Sequence, residues 1–190
     1  MGKDGAYVVV ESRRVYNGRI VKVRRDQVRM PAGNAATREV VETTDAVAIV
    51  AINKRNQVCL IRHYRHPQGG FVWELPAGKL DVENEPPLET AKRELREEVR
   101  LASDSWKLLT TSISSPGFAT ERIHLFLAEA VYSIDDREFK AEDEERGIVV
   151  EMRSLKQAIA DVRSQKLQDG KTIIGLLLAE KHVAEAVKAP

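Results

Sequence analysis

The sequence is poor in the features that mark several large protein classes. It has a single cysteine, Cys59. That excludes an internal disulfide framework and any cysteine-based zinc site. It has no long apolar run: the longest, Ala46 to Ile52, is far too short to span a bilayer as a helix. It has almost no net charge, with 30 Lys plus Arg against 29 Asp plus Glu for a formal +1. A dedicated nucleic-acid binder usually carries a clear basic excess, so the balance argues against one. Repeats and low-complexity linkers are absent. The opening residues Met1-Gly2-Lys3-Asp4-Gly5 lack the basic-then-apolar form of a secretion signal, and a cytoplasmic setting without membrane attachment is expected.

What is present is ordinary for a globular chain: 190 residues, 43% hydrophobic and 31% charged. Residues 7–30 alternate apolar and charged, with a turn signal at Asn17-Gly18, which predicts two or three antiparallel strands with arginines on the outward face. A strand over Arg38–Glu42 follows a turn at Pro31–Asn34. The run Ala46–Ile52 reads as a strand buried on both faces, with Val58–Ile61 as its hairpin partner. A short strand at Phe71–Leu75 is expected to break at Pro76-Ala77-Gly78. Pro86-Pro87 opens a helix to about Val99, since first-turn N–H groups need no intrahelical partner. Strands near 106–112, 123–130 and 148–152 and helices near 154–165 and 172–187 complete a mixed α/β chain. Cys59 reads as a small buried hydrophobe.

The helix from Pro86 carries the chemistry. Residues three and four apart share a face, so Glu94, Glu97 and Glu98 point together. Leu88, Ala91, Leu95 and Val99 form the adjacent apolar stripe that anchors it. Adjacent carboxylates repel, and water, a basic neighbour or hard cations can offset that. Arg93, four residues before Glu97, is placed to hold that carboxylate. Without accompanying His or Cys, oxygen ligands favour Mg²⁺ over Zn²⁺.

Around this helix stand Glu74-Leu75-Pro76-Ala77-Gly78, Glu85, Arg93-Glu94-Leu95-Arg96-Glu97-Glu98 and Leu101. Together they resemble the box of the Nudix hydrolases: Gly, Glu, Arg-Glu, an aliphatic, any residue, Glu-Glu, then Gly and an aliphatic. Two positions depart from it. Six residues, Lys79 to Asn84, separate Gly78 from Glu85 where the box has five. Arg100 stands where the box has a glycine with a left-handed backbone, a substitution that costs about 1 kcal/mol but removes no ligand.

The resemblance implies a Nudix-like α/β/α sandwich with a mixed sheet at residues 43–190. An N-terminal antiparallel extension at residues 1–42 would serve dimerisation. It implies Mg²⁺-dependent hydrolysis of a nucleoside diphosphate linked to another moiety, with Mn²⁺ as a substitute. Metal binding would fall to Glu94, Glu97, Glu98 and the Ala77 carbonyl. Two or three ions would neutralise the pyrophosphate and activate a water.

Further motifs are similar to the ADP-ribose pyrophosphatase group. Pro116 lies sixteen residues beyond the box's glycine position, within Ser114-Ser115-Pro116-Gly117-Phe118-Ala119-Thr120-Glu121-Arg122. Arg62-His63-Tyr64-Arg65 precedes Trp73-Glu74-Leu75-Pro76-Ala77-Gly78. By that similarity Arg65 reaches a substrate phosphate, Glu74 faces the site, and Arg38, Pro116, Gly117 and Phe118 join in substrate binding. Tyr16, Phe118 and Trp73 are candidate shelves for an adenine. The general base would come from the acidic loop, at Glu144 or Glu145. ADP-ribose is the expected substrate. The alternatives are GDP-mannose, NADH or a dinucleoside polyphosphate, or a module that binds a nucleotide without cleaving it.

Overall fold

In a strand, alternate residues face opposite sides, and the central strand of the computed structural model uses both. The structure describes residues 6–134 and 147–186. Within strand β4 (Ala46–Ile52), every residue from Val47 onward is buried. Val47, Ile49 and Ala51 pack with Cys59, Ile61, Ala91, Leu95 and Val99 in one core. Val50 and Ile52 pack with Val58, Leu60, Leu155, Ile159, Leu176 and Ala179 in the other. The first core includes residues of helix α1 (Pro87–Val99), the second residues of α2 (Leu155–Arg163) and α3 (Gly170–Ala186). The result is the expected sandwich, with helices on both faces of one sheet.

The chain divides into two compact units. The larger, Ala46–Ser112 with Ile123–Pro190, holds that sheet. Its order is β12 (Val149–Ser154), β5 (Gln57–Arg65), β4, β10 (Arg122–Glu129) and β9 (Ser105–Ile113). β6 (Gly70–Glu74) pairs antiparallel with β5, and β7 (Ala77–Lys79) pairs antiparallel with β4. β10 runs parallel to β4, so the sheet is mixed. Two short strands, β8 (Leu101–Ala102) and β11 (Tyr132–Ser133), form a separate ladder. Among the described residues no helix is long and apolar enough to cross a membrane.

β7 is a correction. The strand expected over Phe71–Leu75 does end before Pro76, as β6 at Glu74, but the residues expected only to break it, with Lys79, form a strand of their own: Ala77, Gly78 and Lys79 pair with Ala48, Val47 and Ala46. Three residues beside a proline have no readable period, and β4 supplies the hydrogen bonds that make them a strand. The backbone of Arg100 is as expected: φ +54°, ψ +42°, closing α1 in the left-handed region.

Helix α3 approaches the sheet closely at Gly175. A Cβ there would lie 2.8 Å from Leu75 Cδ1 and 2.9 Å from Val50 Cγ2. Gly175→Ala should gain about 1 kcal/mol of helix propensity and lose about 1–3 kcal/mol to overpacking. A lower melting temperature is therefore expected; a higher one would show that the core has room.

The smaller unit is Met1–Asp45 with Ile113–Arg122. Its sheet is antiparallel, in the order β1 (Val8–Asn17), β2 (Lys22–Arg29), β3 (Ala35–Glu42). Several of its arginines are neutralised internally. Arg14 and Arg24 both bond Glu42, and Arg25 reaches Glu39 at 3.3 Å. Buried Asp26 accepts from Ser12 Oγ at 2.6 Å and Arg24 Nε at 2.9 Å, which hold its carboxyl below the usual range. The Pro116-Gly117-Phe118 loop is tied to β3 through Val41, whose N–H donates to the Phe118 carbonyl at 2.7 Å.

Candidate active site

The apolar stripe of α1 lies on the core, with Ala91 and Leu95 fully buried, and this turns Glu94 and Glu98 toward β7. Glu98 Oε2 accepts from the Ala77 N–H at 2.9 Å. Glu94 lies over Gly78, where a Cβ would stand 1.9 Å from its Cδ. Gly78 thus serves close approach rather than a turn: only a residue without a side chain admits Glu94 here.

Both carboxyls are pushed up. Burial is the largest cause in each case, raising Glu94 to about 7 and Glu98 to about 8. For Glu98 the Ala77 N–H and Arg65 pull the other way, while Glu94 and Glu74 add to the rise. A pair of desolvated like charges is the environment a dication relieves. Among the described residues no three His, Cys, Asp or Glu side chains converge into a ready-made metal cage. One or two carboxylates, completed by water and phosphate oxygens, is nonetheless how Mg²⁺ is commonly held. The donor set and the bare Gly78 backbone fit such an ion.

Glu97 is the more exposed, at 29% against 13% for Glu94, and the two share Arg93, whose Nη1 donates to Glu97 at 3.0 Å and to Glu94 at 2.8 Å. The same guanidinium reaches Glu85 at 3.2 Å and Asp81 at 3.4 Å, stapling the preceding loop to the helix. Glu85 also accepts from Thr90 Oγ1 at 2.9 Å. Sequence spacing indicated the Arg93–Glu97 pair; the reach to Glu85 and Asp81 depends on the loop path, in which Asn84 takes φ +62°.

Arg65 and Glu74 come together on β5 and β6. Arg65 Nε donates to Glu74 Oε1 at 2.8 Å, and Glu74 is almost fully buried. Lys171 bonds the other oxygen, Oε2, and stands 3.1 Å from Asp169. A cleft of about 720 Å³ opens beside them, its lining including Arg65, Gln68, Phe71, Glu74, Asp169 and Lys171. Lys171 and Asp169 escaped the sequence reading. Asp169 caps α3, accepting from the Thr172 N–H at 3.0 Å. An Asp three residues before a Thr at a helix start is a readable cap signal; the partner of the lysine inside it is not.

Arg38 is exposed on β3 and donates to the Thr37 carbonyl at 3.0 Å. Pro116, Gly117 and Phe118 are exposed in the same smaller unit, as is Tyr16. Trp73 is half-buried and packs against the second core, with the Arg153 guanidinium 5.0 Å from its ring centroid. Glu144 and Glu145 lie outside the described residues.

The chain is similar to known proteins over most of its length. The NUDIX domain family model matches residues 42–171. A nucleoside diphosphate sugar hydrolase N-terminal domain matches residues 8–41. An ADP-ribose pyrophosphatase of Mycobacterium tuberculosis is 39% identical over 171 residues, 90% of this chain and 82% of the relative. A methanol dehydrogenase activator of Bacillus methanolicus is 34% identical, covering 93% and 94%. A solved structure described as the crystal structure of ADP compounds hydrolase shares the fold, with a TM-score of 0.86 and 18% identity over 100% of both chains.

Proposed function

Because the chain belongs to the Nudix hydrolase family, we propose that it hydrolyses the pyrophosphate of ADP-ribose to AMP and ribose 5-phosphate, with Mg²⁺ as cofactor. The observation that carries this is one arrangement in the larger unit. Two half-buried carboxylates, Glu94 and Glu98, meet a strand end at Ala77-Gly78, with Arg65 close enough for its charge to act on Glu98.

Each residue then has a task. Glu94 and Glu98 hold the cation, with the Ala77 carbonyl and Glu97 in support. Arg93 keeps Glu94 and Glu97 from splaying apart. When bound, Mg²⁺ supplies positive charge to the pyrophosphate oxygens and acidifies a water. Arg65 binds a phosphate, and Glu74 orients Arg65 by taking its Nε–H. A glutamate of the acidic loop, Glu144 or Glu145, takes the proton of the attacking water. Arg38, Pro116, Gly117 and Phe118 are proposed as further substrate-binding residues.

A substrate panel tests this. ADP-ribose, GDP-mannose, NADH and a dinucleoside polyphosphate are incubated with Mg²⁺, with Mn²⁺ or with chelator, and released phosphomonoester is measured. ADP-ribose should head the panel and chelation should abolish turnover. No turnover of any of the four with either metal would leave a nucleotide-binding module as the reading.

The N-terminal residues 1–42 are proposed to form a homodimer with a second copy, covering the exposed apolar side chains Val9, Val10, Val15 and Tyr16 of β1. Light scattering after gel filtration should give twice the 21.3 kDa chain mass. A species of chain mass alone would sink the dimer.

A further inference from the structure

The least expected feature of the cleft is a lysine at the wrong end of a helix. Lys171 sits in the first turn of α3, immediately after Gly170 and the Asp169 cap. The helix macrodipole disfavours a cation there, and its side chain is only 14% exposed. Both costs are offset by two carboxylates, Glu74 and Asp169.

Charge balance alone does not require the lysine at Glu74. One cation neutralises one buried carboxylate, and Arg65 already supplies it. The difference lies in which donors are consumed. With Lys171 on Oε2, Glu74 grips Arg65 at one point only, Nε to Oε1. Among the described residues the two terminal nitrogens of Arg65 then have no acceptor, and the Arg65 side chain stays 40% exposed at the cleft. Were Oε2 vacant, a carboxylate and a guanidinium would favour the two-point fork, which uses Nη as well. Charge counts in the same direction. Arg65 and Lys171 balance Glu74 and Asp169; without Lys171 the group carries one net negative charge.

We infer that Lys171 is a positioning residue for phosphate recognition, confining Glu74 to the Nε of Arg65 so that the Arg65 terminal nitrogens stay free for the substrate's pyrophosphate. This rests on the hydrolase reading above and assigns a role within the same site. The α3 cap delivers the lysine there because it is itself tied to the strand: Thr172 Oγ1 accepts from the Leu75 N–H at 2.9 Å, one residue past Glu74.

The test is a double-mutant cycle through Arg65. ADP-ribose kinetics with Mg²⁺ are compared for the wild type, Lys171→Met, Lys171→Arg, Arg65→Met and the Lys171→Met, Arg65→Met pair. Calorimetry follows binding of the non-hydrolysable methylene-bridged analogue of ADP-ribose. Lys171→Met should raise KM and the analogue's Kd about tenfold while kcat moves less than about threefold. Lys171→Arg should restore both constants to within about threefold. In the Arg65→Met background, Lys171→Met should add less than about twofold, because the residue it positions is gone. Equal losses in both backgrounds, or a fall in kcat at constant KM, would overturn the inference. Thermal melts identify a misfolded Lys171→Met, in which case Lys171→Gln takes its place. If the wild type cleaves nothing, the hydrolase reading fails and the analogue titration decides Lys171 alone. An Arg65-dependent loss of affinity supports it; an unchanged Kd, or no binding by the wild type, overturns it.

Discussion

Replacing Glu98 by glutamine is expected to lower kcat/KM by about 10³-fold and, at the same time, to stabilise the metal-free protein at pH 8. The two effects share one cause. Glu98 is a half-buried carboxyl whose desolvation pushes its pKa from the usual 4.5 to about 8. Between those values the folded state holds a proton that the unfolded chain has released. Stability of the metal-free protein therefore falls as pH rises through that interval, by an amount on the order of a few kcal/mol. Glu94, raised to about 7, adds to the slope. Glutamine keeps an oxygen for the Ala77 N–H but does not titrate, so the variant's stability should depend less on pH. Mg²⁺ binds the deprotonated form and should raise the wild-type melting temperature more at pH 8 than at pH 6. The variant should gain little from Mg²⁺ at either pH. A metal-free variant that melts at or below the wild type at pH 8 would show that Glu98 carries no buried-charge strain.

Gly78→Ala should separate activity from stability in the opposite direction. The added Cβ would lie 1.9 Å from Glu94 Cδ and 2.2 Å from its Oε1. These atoms end a flexible side chain, so Glu94 swings aside while the β4–β7 ladder survives. The stability loss should stay near 1 kcal/mol, at the low end for overpacking. Displacing a cation-holding carboxylate by an ångström or more should cost about 10²-fold in kcat/KM. Normal turnover with a collapsed melting temperature would reverse the assignment, making Gly78 a folding residue and leaving Glu94 without its proposed task.

The α1 segment was readable because its signals are local. Pro86-Pro87 marks its start, Leu88, Ala91, Leu95 and Val99 recur at helical spacing, and Arg93 and Glu97 stand one turn apart. β4 was readable as a continuous apolar run, and its burial on both faces follows from helices packing on each side of the sheet. β7 was not readable, because it depends on the strand beside it. Lys171 and Glu74 were not paired in the sequence because 97 residues separate them. Trp73 shows the same limit with an aromatic: composition does not tell which residues meet the ring, and only the fold brings Arg153 over it, 5.0 Å from its centroid.

The sequence by itself determined that three glutamates share a helix face, that the available ligands are oxygens, and that the surrounding residues resemble one hydrolase family. These follow from helical period, residue chemistry and motif spacing. Only the tertiary structure decided which glutamates differ. Glu94 and Glu98 are pressed against the bare backbone of Ala77 and Gly78 and lose solvent, whereas Glu97, which shares Arg93 with Glu94, stays 29% exposed. Helical period assigns a direction to each side chain; what lies in that direction is set by a strand that the helix meets only after folding.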